Sequence, residues 1–427
     1  MLRIAGNDEV IPRTSTDSLS FWIRTNCISE LQFVRETAIF NREENMIRRR
    51  QTEKLLYLAQ RFPVISVTGP RQSGKTTMVR NAFPEKAYVS LEDPDMRSFA
   101  LDDPRGFLST YPEAVIDEAQ HVPQLFSYIQ TAVDSSRIPG RYILTGSQNF
   151  LLLEGISQSL AGRTAVLKLL PFSYDELRTN HNAESYESFL YRGFYPVIHS
   201  EELSPDDFFP SYVNTYIERD VRSISNIGDL SRFQLFVRLC AGRVGNLVNF
   251  SALSNDCGIS HTTASKWLSI LEASYVVFLL KPYHGSFNKR LVKTPKLFFH
   301  DTGLAAYLLG IKSAAQMETH FARGGLFECM VVSEFMKQAY NLGKEPALFF
   351  WRDKIGNEVD LLLERESGLI PIEIKSGRTP NRDFFRGIDY WRGVSGTEEK
   401  GYIIYGGEDT QKRTADTLIS WRNISDI

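Results

Sequence analysis

Between Phe62 and Ser147 short apolar runs alternate with amphipathic ones. The runs PVISVT, KAYVSL, EAVID and RYILTGS read as buried strands, and KTTMVRNAF and VPQLFSYIQTAV as helices. That alternation predicts a parallel sheet wrapped by helices. After Pro171 the pattern turns mostly helical to about residue 226, then gives a compact helical and hairpin region to about residue 301. Beyond Gly324 the order helix, strand, strand, helix, strand predicts a second α/β unit. Residues 1–45 keep no sustained period and end in the charged NREEN before Met46. They read as a weakly ordered extension, or as sequence upstream of a start at Met46. The chain therefore divides at 1–45, 46–183, 184–228, 229–311 and 312–427.

The stretch GPRQSGKTT fits G-x-x-x-x-G-K-[ST] and lies between a predicted strand and a predicted helix, the context that motif requires. Gly69, Pro70, Arg71, Gln72, Ser73 and Gly74 form the loop, with Lys75, Thr76 and Thr77 opening the helix. Loop amides and the helix N-terminus surround phosphate oxygens, Lys75 reaches the β and γ phosphates, and Thr76 offers a hydroxyl to Mg²⁺. A purely structural glycine turn is the alternative, and motif and context together disfavour it. AVIDEAQ ends a short apolar strand in Asp117, suited to the magnesium site, and Glu118, suited to orienting the attacking water. At the next strand end, Ser147 or Thr145 is positioned to sense the γ-phosphate or merely caps the strand. Arg163 in SLAGRT is a candidate trans-acting arginine, although a surface salt bridge is the favoured reading. No N-K-x-D tetrapeptide is present to read guanine, so ATP is the expected nucleotide.

Toward the C-terminus, GNEVDLLLERESGLIPIEIKSG predicts a hairpin. If Arg365 to Gly368 form a four-residue loop, Glu364 pairs with Leu369 and Asp360 stands opposite Glu373. Glu373 and Lys375 share one strand face. Facing carboxylates repel, so a cation belongs between them: a metal ion, Lys375, or both. A third acid, Glu328, falls on the inward side of the helix predicted from GGLFECMVVSEFMKQAY. A buried acid needs a partner.

Upstream, SALSNDCGISHTTASKWLSILEA reads as helix, turn at Gly258, helix. Ala264, Trp267 or Leu268, and Leu271 face inward, leaving Thr262, Thr263, Ser265, Lys266 and Ser269 outside. A hairpin follows in which Lys281, Lys289, Arg290, Lys293 and Lys296 meet no intervening acid. This resembles a winged helix with a basic wing, and Thr262, Lys266, Lys289, Arg290 and Lys293 are the expected DNA contacts, salt-sensitive and weakly sequence-selective. Domain packing is the alternative use of such a module.

At 427 residues several domains are expected. The formal net charge of −2 excludes a globally basic protein, so any nucleic-acid surface has to be the local cluster just described. Cys27, Cys240, Cys257 and Cys329 lack C-x-x-C spacing, which argues against zinc and against a disulfide framework and fits a reducing cytoplasm. No apolar run approaches a membrane span and no signal-peptide core opens the chain.

The series FPVISVTGPRQSGKTT, LED, VIDEAQ, ILTGSQ, SLAGR and LPFSYDEL resembles the P-loop ATPase domain of a large prokaryotic family of predicted AAA+ ATPases. That family joins the domain to a C-terminal domain of unknown function, and the resemblance runs from Met46 to near Asp389. Glu328, Asp360, Glu373 and Lys375 together resemble the helix acid and D…E-x-K signature of the restriction-endonuclease-like fold. The resemblance implies that Asp360 and Glu373 hold Mg²⁺, that Lys375 orients or activates water, and that Glu328 completes the metal environment. The expected architecture is thus a P-loop NTPase parallel sheet (46–183), a helical lid (184–228), a winged helix (229–311) and a restriction-endonuclease-like α/β domain (312–427). Two functions follow: an ATPase acting on DNA that drives a winged helix and a Mg²⁺-dependent nuclease, or an ATP-dependent switch that binds nucleic acid or protein without cutting. Homo-oligomerisation is left open.

Overall fold

Strand Val64–Thr68 (β1) is buried on both faces because Val64 points to one side and Ile65 and Val67 to the other, and both sides are covered. It belongs to a five-stranded sheet in the order β2-β3-β4-β1-β5, with every pairing parallel. The other strands are β2 (Ala87–Ser90), β3 (Ala114–Asp117), β4 (Tyr142–Gly146) and β5 (Thr164–Lys168). The computed structural model describes residues 47–147, 159–179, 181, 183–221, 229–285 and 292–427.

Helices α1 (Gln51–Ala59) and α2 (Lys75–Ala82) pack Leu55, Met78 and Val79 on one sheet face with Ile65, Val115 and Ile143. Helices α3 (Pro94–Asp102), α4 (Pro104–Thr110) and α5 (Leu125–Ser135) cover the other, where Phe107, Phe126 and Ile129 meet Val64, Ile116 and Leu144. The sequence pattern located β1 to β4, α2 and α5, but not β5, an edge strand whose half-exposed TAVLK is too polar to read as a buried run. It also missed α3 and α4, although each opens on an aspartate cap followed by proline at its first turn.

A one-turn helix α6 (Tyr174–Leu177) starts in a capping box in which Ser173 and Glu176 satisfy each other's backbone. Short helices α7 (Tyr186–Arg192), α8 (Pro196–Ser200) and α9 (Pro205–Tyr212) lead into a π-helical stretch, Val213–Val221. Three helices follow, α10 (Leu230–Ala241), α11 (Phe250–Cys257) and α12 (His261–Ala273), then an antiparallel pair, β6 (Val277–Leu280) and β7 (Lys296–Phe299). Gly258 closes α11 in the left-handed conformation and Ser260 caps α12 through the amide of Thr263, so the turn expected there forms.

After α13 (Thr302–Leu308) and α14 (Ala314–Thr319), the long helix α15 (Arg323–Asn341) packs on a six-stranded mixed sheet of order β12-β13-β11-β10-β9-β8. Its strands are β8 (Leu348–Arg352), β9 (Glu358–Arg365), β10 (Gly368–Lys375), β11 (Gly401–Tyr405), β12 (Gln411–Lys412) and β13 (Asp416–Ser420), with α16 (Arg386–Ser395) between β10 and β11. The β9/β10 register is the expected one, Glu364 opposite Leu369, but Arg365 pairs with Gly368, so the loop is only Glu366 and Ser367. The sequence pattern missed β8, and β8 holds the segments that flank the β6/β7 hairpin connection: Phe350 N donates to Lys281 O at 3.1 Å, Tyr283 N to Phe350 O at 2.7 Å, and Val292 N to Arg352 O at 3.1 Å.

Residues Arg48–Ile427 form one compact unit, and α15 is its bolt. Glu334 accepts the Tyr174 amide at 2.8 Å and Lys337 donates to Phe172 O at 2.9 Å, both side chains fully enclosed. Burial lowers Lys337 from its ordinary range while the charges of Glu334 and Asp301 hold it up. Lys337→Met should therefore leave Glu334 and Asp301 uncompensated and destabilise the unit by about 3 kcal/mol or more. The exposed pair partner Glu53→Ala should change denaturant unfolding by less than about 1 kcal/mol. Equal effects of the two substitutions would contradict the bolt.

Candidate functional site

The loop after β1 is shaped by two glycines. Gly69 has φ +151° and a Cβ there would overlap the carbonyl oxygen of Leu169, while Gly74, φ +87°, caps α2. Gln72 is left-handed without being glycine, a conformation the loop imposes. Behind the loop the buried Arg49 guanidinium donates to Ser73 O at 2.8 Å, Leu170 O at 2.6 Å and Glu176 Oε1 at 3.1 Å. Sequence reading missed this brace, because its partners lie up to 127 residues away. Lys75 is buried and its Nζ donates to Gly69 O at 3.0 Å and Pro70 O at 2.7 Å. Burial lowers its ammonium to about 8, against the charges of Glu118 and Asp117.

Asp117 and Glu118 sit at the end of β3 facing this loop. Asp117 Oδ2 accepts from the Thr76 hydroxyl at 2.9 Å and from the Tyr88 phenol at 2.7 Å. Asp117 Oδ1 accepts from the Thr145 hydroxyl and from the Glu118 amide at 3.1 Å. Glu118 takes φ +52°, which turns the chain sharply out of β3. Its Oε2 accepts from Ser147 N at 3.2 Å, Ser147 Oγ at 3.0 Å and the Gln120 amide. Thr145 and Ser147 of one strand end therefore hold the two acids of the next. The Thr76 hydroxyl and Asp117 carboxylate are an all-oxygen pair that suits magnesium, which takes most of its remaining ligands from phosphates and water. Arg163 is not part of this arrangement: it forms a fork with Asp134 of α5, 2.9 Å from Nη2 to Oδ2, on the surface. The surface salt bridge that the sequence favoured for Arg163 is formed.

A second cluster lies on the mixed sheet. Asp360 Oδ2 accepts from Ile374 N at 2.8 Å and from Lys375 Nζ at 2.9 Å, and the same ammonium bonds Glu373 Oε2. Lys375, one of the cations the sequence left open, stands between the facing acids. Glu328 is joined to them through another ammonium: it pairs at 2.7 Å with Lys296, which also pairs with Glu358 and lies within charge range of Asp360. Lys296, expected in the exposed wing, is thus buried, because β7 carries it under the sheet edge to meet three acids. Burial lifts the Glu328 carboxyl to about 7, opposed by Lys296 and reinforced by Asp360. Glu373 is pushed well above the ordinary range by burial and then by Asp360. Burial also works on Asp360, but the ammoniums of Lys375 and Lys296 outweigh it and hold its carboxyl low. Glu373 Oε1 is buried without a hydrogen-bond partner among the described residues, and Gly387 of α16 lies on it so closely that a Cβ would overlap. Among the described residues no three of His, Cys, Asp or Glu gather as a metal-ligand set. Lys375 lies between Asp360 and Glu373, and Lys296 between Glu328 and Glu358, among the oxygens expected to surround Mg²⁺.

On α12, Thr262 and Lys266 are exposed, with Ala264, Trp267, Leu268 and Leu271 buried. Lys281 and Lys293 are exposed in the hairpin, while Lys289 and Arg290 lie outside the described residues. Cys240, Cys257 and Cys329 are buried free thiols. Among the described residues no helix is long and apolar enough to cross a membrane.

Comparison with known proteins finds three families along the chain. Residues 61–178 match a family described as AAA domain, and residues 183–315 and 323–424 match two domains of unknown function (DUF8612 and DUF4143). An uncharacterized protein of Mycobacterium tuberculosis is 29% identical over 340 residues, 78% of this chain and 75% of the relative. One from Haemophilus influenzae is 26% identical over 186 residues, 40% of this chain and 46% of its own. Among solved structures, a Walker-type ATPase of Pyrococcus abyssi shares 16% identity, covering 62% of this chain and 96% of that one at a TM-score of 0.42. AMPPCP-bound DnaA from Aquifex aeolicus shares 14%, covering 52% and 85% at a TM-score of 0.25. Likenesses this distant do not bear on function. The family match and the loop geometry agree on one conclusion: residues 61–178 form a P-loop domain of the AAA type.

Proposed function

We propose that the chain is a magnesium-dependent ATP hydrolase that acts on DNA as a switch. The observation that carries the first part is the convergence of Lys75, Thr76, Asp117 and Glu118, each acid fixed by hydroxyl donors of a neighbouring strand. Loop amides bind the phosphates, and Lys75 exchanges its two loop carbonyls for phosphate oxygens. Thr76, with Asp117 bonded to its hydroxyl, would hold magnesium, which when bound would supply charge neutralisation at the phosphates. Glu118, its Oε2 bonded to Ser147, has its second oxygen to orient a water for attack and draw off its proton. Ser147 in this reading positions Glu118.

The three-helix and hairpin module, which we read as a winged helix, supports DNA contact, with Thr262, Lys266, Lys281 and Lys293 outside. Lys289 and Arg290 extend the same basic run in sequence. The order α15, β8, β9, β10, α16, β11 has three antiparallel strands and a parallel fourth, which supports the nuclease-like reading of the C-terminal fold. The side chains favour the non-cutting form of that fold, because Lys375 and Lys296 already answer the acids. A second reading, cleavage at this cluster, is favoured by one feature, the partnerless Glu373 Oε1.

Lys75→Ala should abolish nucleotide binding, and Glu118→Gln should keep ATP bound while slowing phosphate release by at least about a hundredfold. Unchanged hydrolysis in both would overturn the ATPase assignment. In the wild type, affinity for ADP should fall as pH rises through about 8, because Lys75 loses its proton there before phosphate can bind it.

DNA affinity should fall steeply with salt, and Lys266→Ala with Lys293→Ala should reduce the slope of log K against log salt by about 2. A salt-independent or absent interaction would reassign the module to protein contact. Incubation with duplex, single-stranded and branched DNA in Mg²⁺ and ATP should leave every strand intact. Cleavage that Asp360→Asn removes would establish the second reading.

A further inference from the structure

The motifs account for only part of what holds Asp117. Thr145 and the Glu118 amide fix its Oδ1, and Thr76 of the phosphate loop bonds Oδ2. The remaining donor to Oδ2, at 2.7 Å, is the phenol of Tyr88, a residue no motif includes. Tyr88 stands on the edge strand β2, where it pairs with Val115 while Ser90 pairs with Asp117. It therefore lies diagonal to the carboxylate on the same sheet face, within reach of a long side chain. The ring is held from above by the Arg80 guanidinium, 4.7 Å from its centroid. Arg80 is four residues beyond Thr76 on α2, so one helix face carries both the magnesium hydroxyl and the cation that seats Tyr88. A cavity of about 380 Å³ opens beside them, lined in part by Thr76, Arg80, Lys86 and Tyr88.

We infer that Tyr88 is a positioning residue for the magnesium carboxylate, its hydroxyl fixing the orientation of Asp117 toward Thr76. The inference rests on the ATPase reading above. A hydroxyl has one proton and two lone pairs, so Thr76 can donate to Asp117 and still present oxygen to a metal. That double use works only while Oδ2 stays where it is, and a carboxylate bonded at both oxygens cannot turn without breaking bonds on each side. Remove the phenol and Oδ2 depends on Thr76 alone. Burial, then the hydrogen bond to Asp117, push the Tyr88 phenol above its ordinary range, so it remains a donor wherever the protein works.

The test is Tyr88→Phe in the full chain, which deletes the hydroxyl and keeps the ring under Arg80. Binding of a fluorescent ADP analogue is measured in EDTA and across a Mg²⁺ titration, beside phosphate release from ATP. Affinity in EDTA should move little, whereas the Mg²⁺ concentration giving half of the metal-dependent gain should rise roughly tenfold, the equivalent of one hydrogen bond to a charged group. Arg80→Met, which frees the ring but keeps the hydroxyl, should give a smaller rise in the same direction, and decides the matter if Tyr88→Phe does not fold. Magnesium midpoints matching the wild type in the folded variants, with hydrolysis by the wild type intact, would overturn the role of Tyr88. A wild type that binds nucleotide neither with nor without Mg²⁺ would overturn the ATPase reading beneath it.

Discussion

Much of this structure depends on a set of charges taken out of water between α15 and the segment that follows β5. Glu334 and Lys337 are enclosed, and each is bonded to the backbone of residues 172–174. Burying such groups costs several kcal/mol each unless their bonds are complete, so the contact tolerates little displacement. The same segment continues into Glu176, which binds Arg49, and Arg49 binds the phosphate loop at Ser73. Gln51, at the start of α1, donates to Lys168 O at 3.0 Å and to Tyr340 O at 2.6 Å, tying β5 to the end of α15. The AAA-type domain and the C-terminal sheet are thereby locked through main chain rather than through exchangeable surface pairs.

A second tie runs through the helical module. Tyr275, left-handed at the end of α12, shares a hydrogen bond of 2.9 Å with Thr68, the residue before Gly69. The hairpin after α12 is paired to β8 on one side and delivers Lys296 to Glu328 and Glu358 on the other. In the switch we propose, a change at the phosphate loop is carried by these contacts to the helix and wing that meet DNA. The ion pairs of Lys296 with Glu328 and Glu358 tie β7 to α15 and β9.

Local signals in the sequence were enough for the loop, its flanking strand and helix, and the acids Asp117 and Glu118, because each is a property of a few adjacent residues. The register of β9 and β10 was also legible, since a short hairpin loop sets Glu364 opposite Leu369, although the loop is two residues rather than four. What was not legible is long-range pairing. Lys296 reads as one more basic wing residue until the fold brings Glu328 beside it, and Arg49 reads as one of three arginines in a row until Ser73 and Glu176 close on it. Arg163 shows the opposite case: its motif position drew attention to it, but its partner, Asp134 on α5, is 29 residues away and was not legible. Tyr88 carried no signal, because a tyrosine on an edge strand is common and only the tertiary position of Asp117 gives it a task.

The central claim is that the phosphate loop and the C-terminal body are mechanically continuous. Hydrogen exchange of the full chain with and without Mg²⁺ and ADP tests it most directly, because amide protection reports local stability element by element. The account predicts that nucleotide slows exchange at residues 69–77 and also along α15 and the stretch 170–176. Protection confined to the loop and to Asp117 and Glu118, with α15 unchanged, would contradict it.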